Sequence, residues 1–263
     1  MDLKTMEFSV ANGVATITLD RPDAANALDL RMSQDLLAVA SHCDANPSIR
    51  AVILTGKGKM FSAGGDVTGF AAAGDGVSEM MRNMTGFLHA AIARFMRMNA
   101  PLICAVNGTA AGAGLSMALM GDVVLAAASA KFTMAYTKIG VSPDGSSSFT
   151  LPRIVGMARA KEMILLNPVY TAQEALDKGL VTAVVPDDQV MARATEIASQ
   201  LASGPTLAYG EVKRLLADSF SNSLETQMEL ETRAIAGLSA YTQDAKEGFR
   251  AFAEKRKPKF EGR

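Results

Sequence analysis

Apolar and polar residues recur along this chain with two different periods, and the changes of period mark its elements. Alternation of the strand kind runs from Glu7 to Val10 and from Val14 to Leu19. The two runs flank Asn12-Gly13, whose tolerance of left-handed backbone suits a tight hairpin turn. After Arg21-Pro22, Asp29 is placed to cap a helix with apolar positions at Met32, Leu36, Val39, Ala40 and Cys43, ended by Asn46-Pro47. Ala51 to Thr55 is a continuous apolar run and reads as a buried strand. A glycine-rich loop follows from Gly56 to Gly65, then a polar, flexible stretch to about Met80. Met84, Phe87, Leu88, Ala91, Ile92 and Phe95 return to helical spacing, stopped by Pro101. Leu102 to Val106 is a second buried strand that runs into Asn107-Gly108 and the small-residue segment Thr109 to Gly121. Asp122 to Ala128 gives a third strand and Lys131 to Ala135 a short fourth.

The last third is helical. Thr171 and Glu174 form a capping box, and Gly179 is the stop before a short strand from Leu180 to Val185. Four helical stretches follow from Asp187, broken near Gly204-Pro205, Ser221-Asn222 and Tyr241-Thr242. The pattern predicts an α/β core with layered sheets over residues 1–203 and a helical region over 204–263.

Composition narrows the classes. The 263 residues are 49% hydrophobic and 20% charged, enough to bury a sizeable core. A formal net charge of −1 supplies no general attraction to nucleic acid or to an anionic membrane. The N-terminus already reads as strands rather than as a signal peptide, and no apolar stretch reaches membrane-span length. Cys43 and Cys104 lie in apolar surroundings and read as buried thiols of a cytoplasmic protein. His42 and His89 have no partner at ligand spacing, so no metal site is expected.

Two loops carry chemistry. The first is Met60 to Asp66, where glycines let the backbone approach a ligand and turn its N–H groups inward. The second is Asn107 to Gly114, where a strand feeds a helix and amides favour negative charge. One N–H from each could meet on a single oxygen, the arrangement that stabilises an enolate. Neither loop fits a dinucleotide-binding or P-loop pattern.

Phe61-Ser-Ala-Gly-Gly-Asp66 and Asn107-Gly-Thr-Ala-Ala-Gly-Ala-Gly114 together resemble the paired signature of the enoyl-CoA hydratase/isomerase, or crotonase, superfamily. The similarity extends from residues 21–28 through 130–140 and 151–156 to 249–260. The resemblance implies a spiral of ββα units with a helical C-terminal region that forms homotrimers or homohexamers. It implies an acyl-CoA thioester as substrate, with coenzyme A as its carrier and no separate cofactor. The thioester oxygen would be held by the backbone N–H groups of Gly65 and Ala113, with Ala63, Gly64, Asp66 and Val67 as contacts to the coenzyme A end. Asp66 has an equally ordinary use as a cap for the following turn. Lys255, Arg256, Lys257 and Lys259 could meet phosphates, and Met80, Met81, Met84, Met96 and Met98 could line an adaptable acyl pocket.

Hydratases of this superfamily use two glutamates, and the positions that match them here are Ser116 and Tyr136, neither of them a carboxylate. Asp144, in Ser142-Pro-Asp-Gly145, reads from its residues alone as a turn aspartate. By resemblance it corresponds to the acid–base residue of phenylacetate-pathway enoyl-CoA isomerases and to the nucleophile of 4-chlorobenzoyl-CoA dehalogenase. A carboxyl in an apolar pocket makes a better base. His89 falls where the dehalogenase has its histidine, although it also fits the edge of an apolar helix stripe as a structural residue. The chain has no tryptophan, and Leu88, Tyr136 and Gly65 stand where the dehalogenase has aromatic residues. Its C-terminal region reads closer to the isomerases. The expectation is therefore an enoyl-CoA isomerase with Asp144 as acid–base and, less centrally, His89. A dehalogenase-like enzyme, a thioester hydrolase using Asp144 and His89, and a non-catalytic acyl-CoA binder are the alternatives.

Overall fold

The computed structural model describes residues 1–263. It opens on the hairpin: β1 (Met6–Ala11) pairs antiparallel with β2 (Val14–Leu19), Ala11 opposite Val14. Asn12 and Gly13 turn the chain with φ of 52° and 77°, the paired positive values that a two-residue hairpin turn of matching twist requires. Helix α1 (Leu30–Ala45) then starts on Asp29, whose carboxylate accepts the Met32 N–H at 2.8 Å.

Three times thereafter a buried strand, a short strand and helix follow one another. Strands β3 (Ala51–Gly56) and β4 (Met60–Ser62) lead to α2 (Val67–Ala72) and the long α3 (Val77–Arg97). Next come β5 (Leu102–Val106), β6 (Thr109–Ala111) and α4 (Ala113–Ala118). Then β7 (Val123–Ala127) and β8 (Lys131–Thr133) lead to α5 (Ser147–Val155) and α6 (Met157–Leu166). Strand β9 (Tyr170–Thr171), α7 (Ala172–Asp177) and β10 (Ala183–Val185) close the sheets. Helices α8 (Val190–Ala202), α9 (Thr206–Asp218), α10 (Leu224–Tyr241) and α11 (Gln243–Ala253) follow.

The first strand of each unit enters a six-stranded sheet ordered β1-β2-β3-β5-β7-β10, and the second enters a four-stranded sheet ordered β4-β6-β8-β9. From β2 to β10 the large sheet is parallel. Each unit thus advances one strand in both sheets, which is the expected spiral of ββα units. Strand β3 shows why its sequence lacks polar alternation. Val52 and Leu54 face a main core of 45 buried residues, while Ala51 and Ile53 face a second cluster of ten under α8. A strand covered on both faces has no solvent side to mark.

Two segments differ from their sequence reading. The stretch before Met80 is ordered: Asp66 Oδ1 accepts the Gly69 N–H at 3.0 Å to start α2, and α3 already begins at Val77. The strand read from Leu180 begins only at Ala183. Leu180 instead turns back after α7, its N–H donating to Ala175 O at 2.8 Å, while its side chain is buried in the main core. No helix is long and apolar enough to cross a membrane.

Helix α9 is fastened to the core by one buried cation. The Lys213 ammonium, 8% exposed, meets Asp122 Oδ2 at 2.8 Å and donates to the carbonyls of Phe95 and Ala100 at 3.0 and 3.2 Å. Asp122 Oδ2 also accepts the Leu102 N–H at 2.7 Å, so the pair joins α9 to the first residue of β5. Burial lowers the pKa of this amine and the Asp122 charge opposes the fall. Breaking the pair from the cationic side is expected to be costly, because it strands the carboxylate and two carbonyls. Lys213→Met should lower stability by about 3 kcal/mol, the low end for a buried pair because Asp122 is partly exposed; urea unfolding measures it.

Candidate active site

The two glycine-rich loops converge at the short sheet. Strands β4 and β6 run parallel with Met60 opposite Thr109 and Ser62 opposite Ala110, so the turns that leave them lie side by side. Their backbones approach too closely for side chains. A Cβ on Gly108 would strike Lys59 O, and one on Gly114 would strike Ser62 O. Gly64 has φ of +93°, and a Cβ there would lie 2.7 Å from Ala111 O and 3.1 Å from the Ala113 nitrogen. Gly108 and Gly114 need glycine for space, and Gly64 for both space and conformation.

The same approach sets the direction of two amides. Leu28 N–H donates to Gly64 O at 2.7 Å and Asp66 N–H donates to Leu28 O at 2.8 Å. That ladder uses the groups on either side of Gly65 and leaves the Gly65 N–H on the opposite edge. Ala113 is the first residue of α4, where an N–H has no intrahelical acceptor. Neither amide donates to a carbonyl of the chain. Gly65 and Ala113 line one cavity of about 290 Å³, whose apolar wall includes Val67, Phe70, Met81, Met84, Ile139 and Val141.

One carboxylate lines this cavity, that of Asp144. Its loop leaves β8 through a 3-10 turn at Tyr136–Ile139 and enters α5, where the Ser147 hydroxyl donates to Asp144 O at 2.8 Å. The Tyr136 hydroxyl donates to Asp144 Oδ1 at 2.6 Å, and Ser116 Oγ lies 2.9 Å from the same hydroxyl. Because an ionised carboxylate only accepts and a phenol has one proton, the chain of donation runs from Ser116 to Tyr136 to Asp144. Burial, and secondarily the Asp144 charge, push the Tyr136 phenol well above its ordinary pKa. Tyr136 is therefore a donor that keeps its proton.

Asp144, Tyr136, Gly65, Ala113, Ala63 and Val67 all line the cavity. Ser116 is fully buried behind Tyr136. Gly64 and Asp66 do not line it; Asp66 caps α2 and faces the Arg21 guanidinium at 3.4 Å, the structural use. His89 touches Asp144 from outside: Nε2 lies 3.4 Å from Oδ2, on a half-exposed side chain that lines a different hollow. Met81 and Met84 reach the cavity, whereas Met80, Met96 and Met98 do not. Arg256 is held by Glu247 and Glu254. The sequence reading missed Phe70, Ile139 and Val141. Phe70 has a signal only in three dimensions: its ring stacks where a Gly65 side chain would be, with Cε2 2.6 Å from the position of a Cβ.

The sequence pattern of the enoyl-CoA hydratase/isomerase family matches residues 9–263, and the chain belongs to that family. It is 38% identical to 1,2-epoxyphenylacetyl-CoA isomerase of Escherichia coli (strain K12) over 98% of this chain and 100% of the relative. It is 36% identical to 4-chlorobenzoyl coenzyme A dehalogenase-2 of Arthrobacter sp over 85% and 82%. The solved enoyl-CoA hydratase of Bacillus anthracis superposes with a TM-score of 0.92 at 32% identity, covering 99% of this chain and 100% of that one. Proteins named as hydratases are among the sequence relatives too. The chain is an acyl-CoA enzyme of crotonase fold, and its relatives run several reactions on this frame.

The raised Tyr136 pKa has a spectroscopic consequence. A phenolate there would be desolvated and would face the Asp144 charge, so raising the pH ionises the other tyrosines first. About one unit above the ordinary tyrosine pKa of about 10, Tyr136→Phe and wild type should show the same ultraviolet tyrosinate absorbance. A lower signal in the variant would mean that Tyr136 ionises normally.

Proposed function

We propose that the protein is an enoyl-CoA isomerase, which moves a carbon–carbon double bond within an acyl thioester by proton transfer through Asp144. The observation that carries this reading is a single carboxylate in the apolar cavity that the Gly65 and Ala113 amides share. The thioester oxygen accepts from those two N–H groups. Asp144 takes a proton from one carbon of the acyl chain, the electron pair moves toward the oxygen, and the two donors hold the resulting enolate. Asp144 then returns a proton to a different carbon. One carboxylate suffices, because the acid formed in the first half is the donor of the second.

Addition of water is the poorer fit. It is served by two carboxylates, and the matching positions hold the hydroxyls of Ser116 and Tyr136, which donate toward Asp144 Oδ1 instead. A nucleophilic Asp144 with His89 directing water would need the imidazole on the acyl side, and His89 lines the hollow on the other side. Proton transfer changes no oxidation state overall, so coenzyme A enters as half of the substrate and no further cofactor is required. Ala63 and Val67 are the residues we assign to the thioester end. The exposed Leu224, Met228 and Ile235 of α10, a helix that buries no residue in its own chain, are the surface we assign to contacts in a homotrimer or homohexamer.

Asp144→Asn keeps the size and the Tyr136 contact but removes the base. It should lower kcat for conversion of 3-enoyl-CoA to 2-enoyl-CoA by about 10²–10⁴-fold with little change in KM, followed by chromatography and mass spectrometry. Wild-type activity in the variant, or hydration of 2-enoyl-CoA outpacing isomerisation in the wild type, would remove this reading.

A further inference from the structure

Asp144 stands between two cavities. On one side is the acyl cavity; on the other is a hollow of about 320 Å³ lined by His89, Ile92, Met96, Ser146 and Phe149 among others. The His89 side chain is 50% exposed. Its Nε2 lies 3.4 Å from Asp144 Oδ2 and accepts the Gly145 N–H at 3.2 Å.

That second contact matters for the first. Accepting from Gly145 presents a lone pair at Nε2. A lone pair facing a carboxylate oxygen is repulsive unless a proton lies between them. That proton can sit in two places: on Oδ2, donating to Nε2, or on Nε2, which then donates to Oδ2 and gives up the Gly145 N–H. Oδ1 is meanwhile occupied by the Tyr136 hydroxyl. Ser146, in the left-handed region with φ of 69°, lines the same hollow and has a buried Oγ with no hydrogen-bond partner.

We propose that His89 is a proton relay that joins Asp144 to solvent through this rear hollow, so that a proton taken from the acyl chain exchanges with water before it is returned. The inference rests on the reading of Asp144 as the acid–base group. The acyl C–H bond breaks, its electron pair enters the enolate, and the proton bonds to Asp144. The acid passes a proton from Oδ2 to Nε2, and the half-exposed imidazolium releases one to water. The reverse sequence brings a solvent proton to Asp144. No electrons leave the system, and water is the only co-reactant. Without the imidazole, bound substrate fills the acyl side and Tyr136 covers Oδ1, so the original proton returns to the same molecule.

The test is isomerisation of a 3-enoyl-CoA in D2O by wild type, His89→Ala and His89→Gln, with deuterium per product molecule counted by mass spectrometry and kcat measured alongside. Wild type should incorporate about one deuterium per turnover, and both variants about ten times less per product molecule, whatever the change in kcat. Added imidazole should restore incorporation in His89→Ala. A residue that merely orients Asp144 would lower kcat and leave the deuterium ratio unchanged, and that result overturns the relay. So does a wild type that isomerises without exchange. A wild type that does not isomerise removes the reading of Asp144 and the relay with it, so the two failures are distinguishable.

Discussion

The turns that follow β4 and β6 touch through bare backbone, and the cavity beside them exists because they do. Gly64 lies against Ala111 and Ala113 and Gly114 against Ser62, with no room for a Cβ at either, and Gly108 meets Lys59 just as closely where the two strands begin. Glycine is an expensive choice in entropy, about 0.5–1 kcal/mol against alanine. The two sheets offset that cost by holding β4 and β6 in parallel register, so each turn starts from a rigid strand. The return is directional: the ladder from Leu28 to Gly64 and Asp66 leaves the Gly65 N–H on the cavity side, opposite the first amide of α4. A main-chain N–H keeps its direction whatever side chain it carries, so Ala113 presents its amide to the cavity as a glycine would.

What a main-chain site lacks is a choice of reaction, and in the proposed isomerase that choice rests on three side chains on separate elements. Ser116 on α4, Tyr136 on the turn after β8 and Asp144 on the next loop form one directed chain of hydrogen bonds. Two hydroxyls that each have one proton to give can hold a carboxylate but cannot share its work. Burial keeps the phenol protonated, so the direction of donation does not reverse within an ordinary pH range. On the proposed reading, the arrangement leaves Asp144 as one base with a fixed orientation.

Much of this was legible in the sequence, and the limits have physical reasons. The hairpin at Asn12-Gly13, the Asp29 cap and the Thr171–Glu174 capping box rest on contacts within a few residues, and the structure has all three. The apolar run Ala51 to Thr55 announced a strand covered on both sides. Strand β4 was invisible because three residues show no period, and the start of α2 was hidden by the glycines around it. Ser116, Tyr136 and Asp144 were identifiable by resemblance as residues of one site, but their order of donation is a matter of distances. Phe70, Ile139 and Val141 have no local pattern at all; they line the cavity because the fold delivers them there.

His89 shows most clearly what periodicity reveals and what it withholds. Met81, Met84 and Thr85 of α3 line the acyl cavity, and His89, Ile92, Ala93 and Met96 line the rear hollow. The steps between them are of three, four or one residues, so all seven belong to one helical stripe. Along that stripe the environment changes between Thr85 and His89, a shift of about 6 Å at 1.5 Å per residue. Asp144 stands opposite this change. A helix that crosses a wall must present something to each side of it, and here Met81 and Met84 face one cavity while the His89 imidazole reaches the carboxylate from the other. An adjoining apolar stripe through Met84, Leu88, Ala91, Ile92 and Phe95, with His89 at its edge, was readable from spacing alone. The wall was not, because it is made by a loop 55 residues further along the chain from His89.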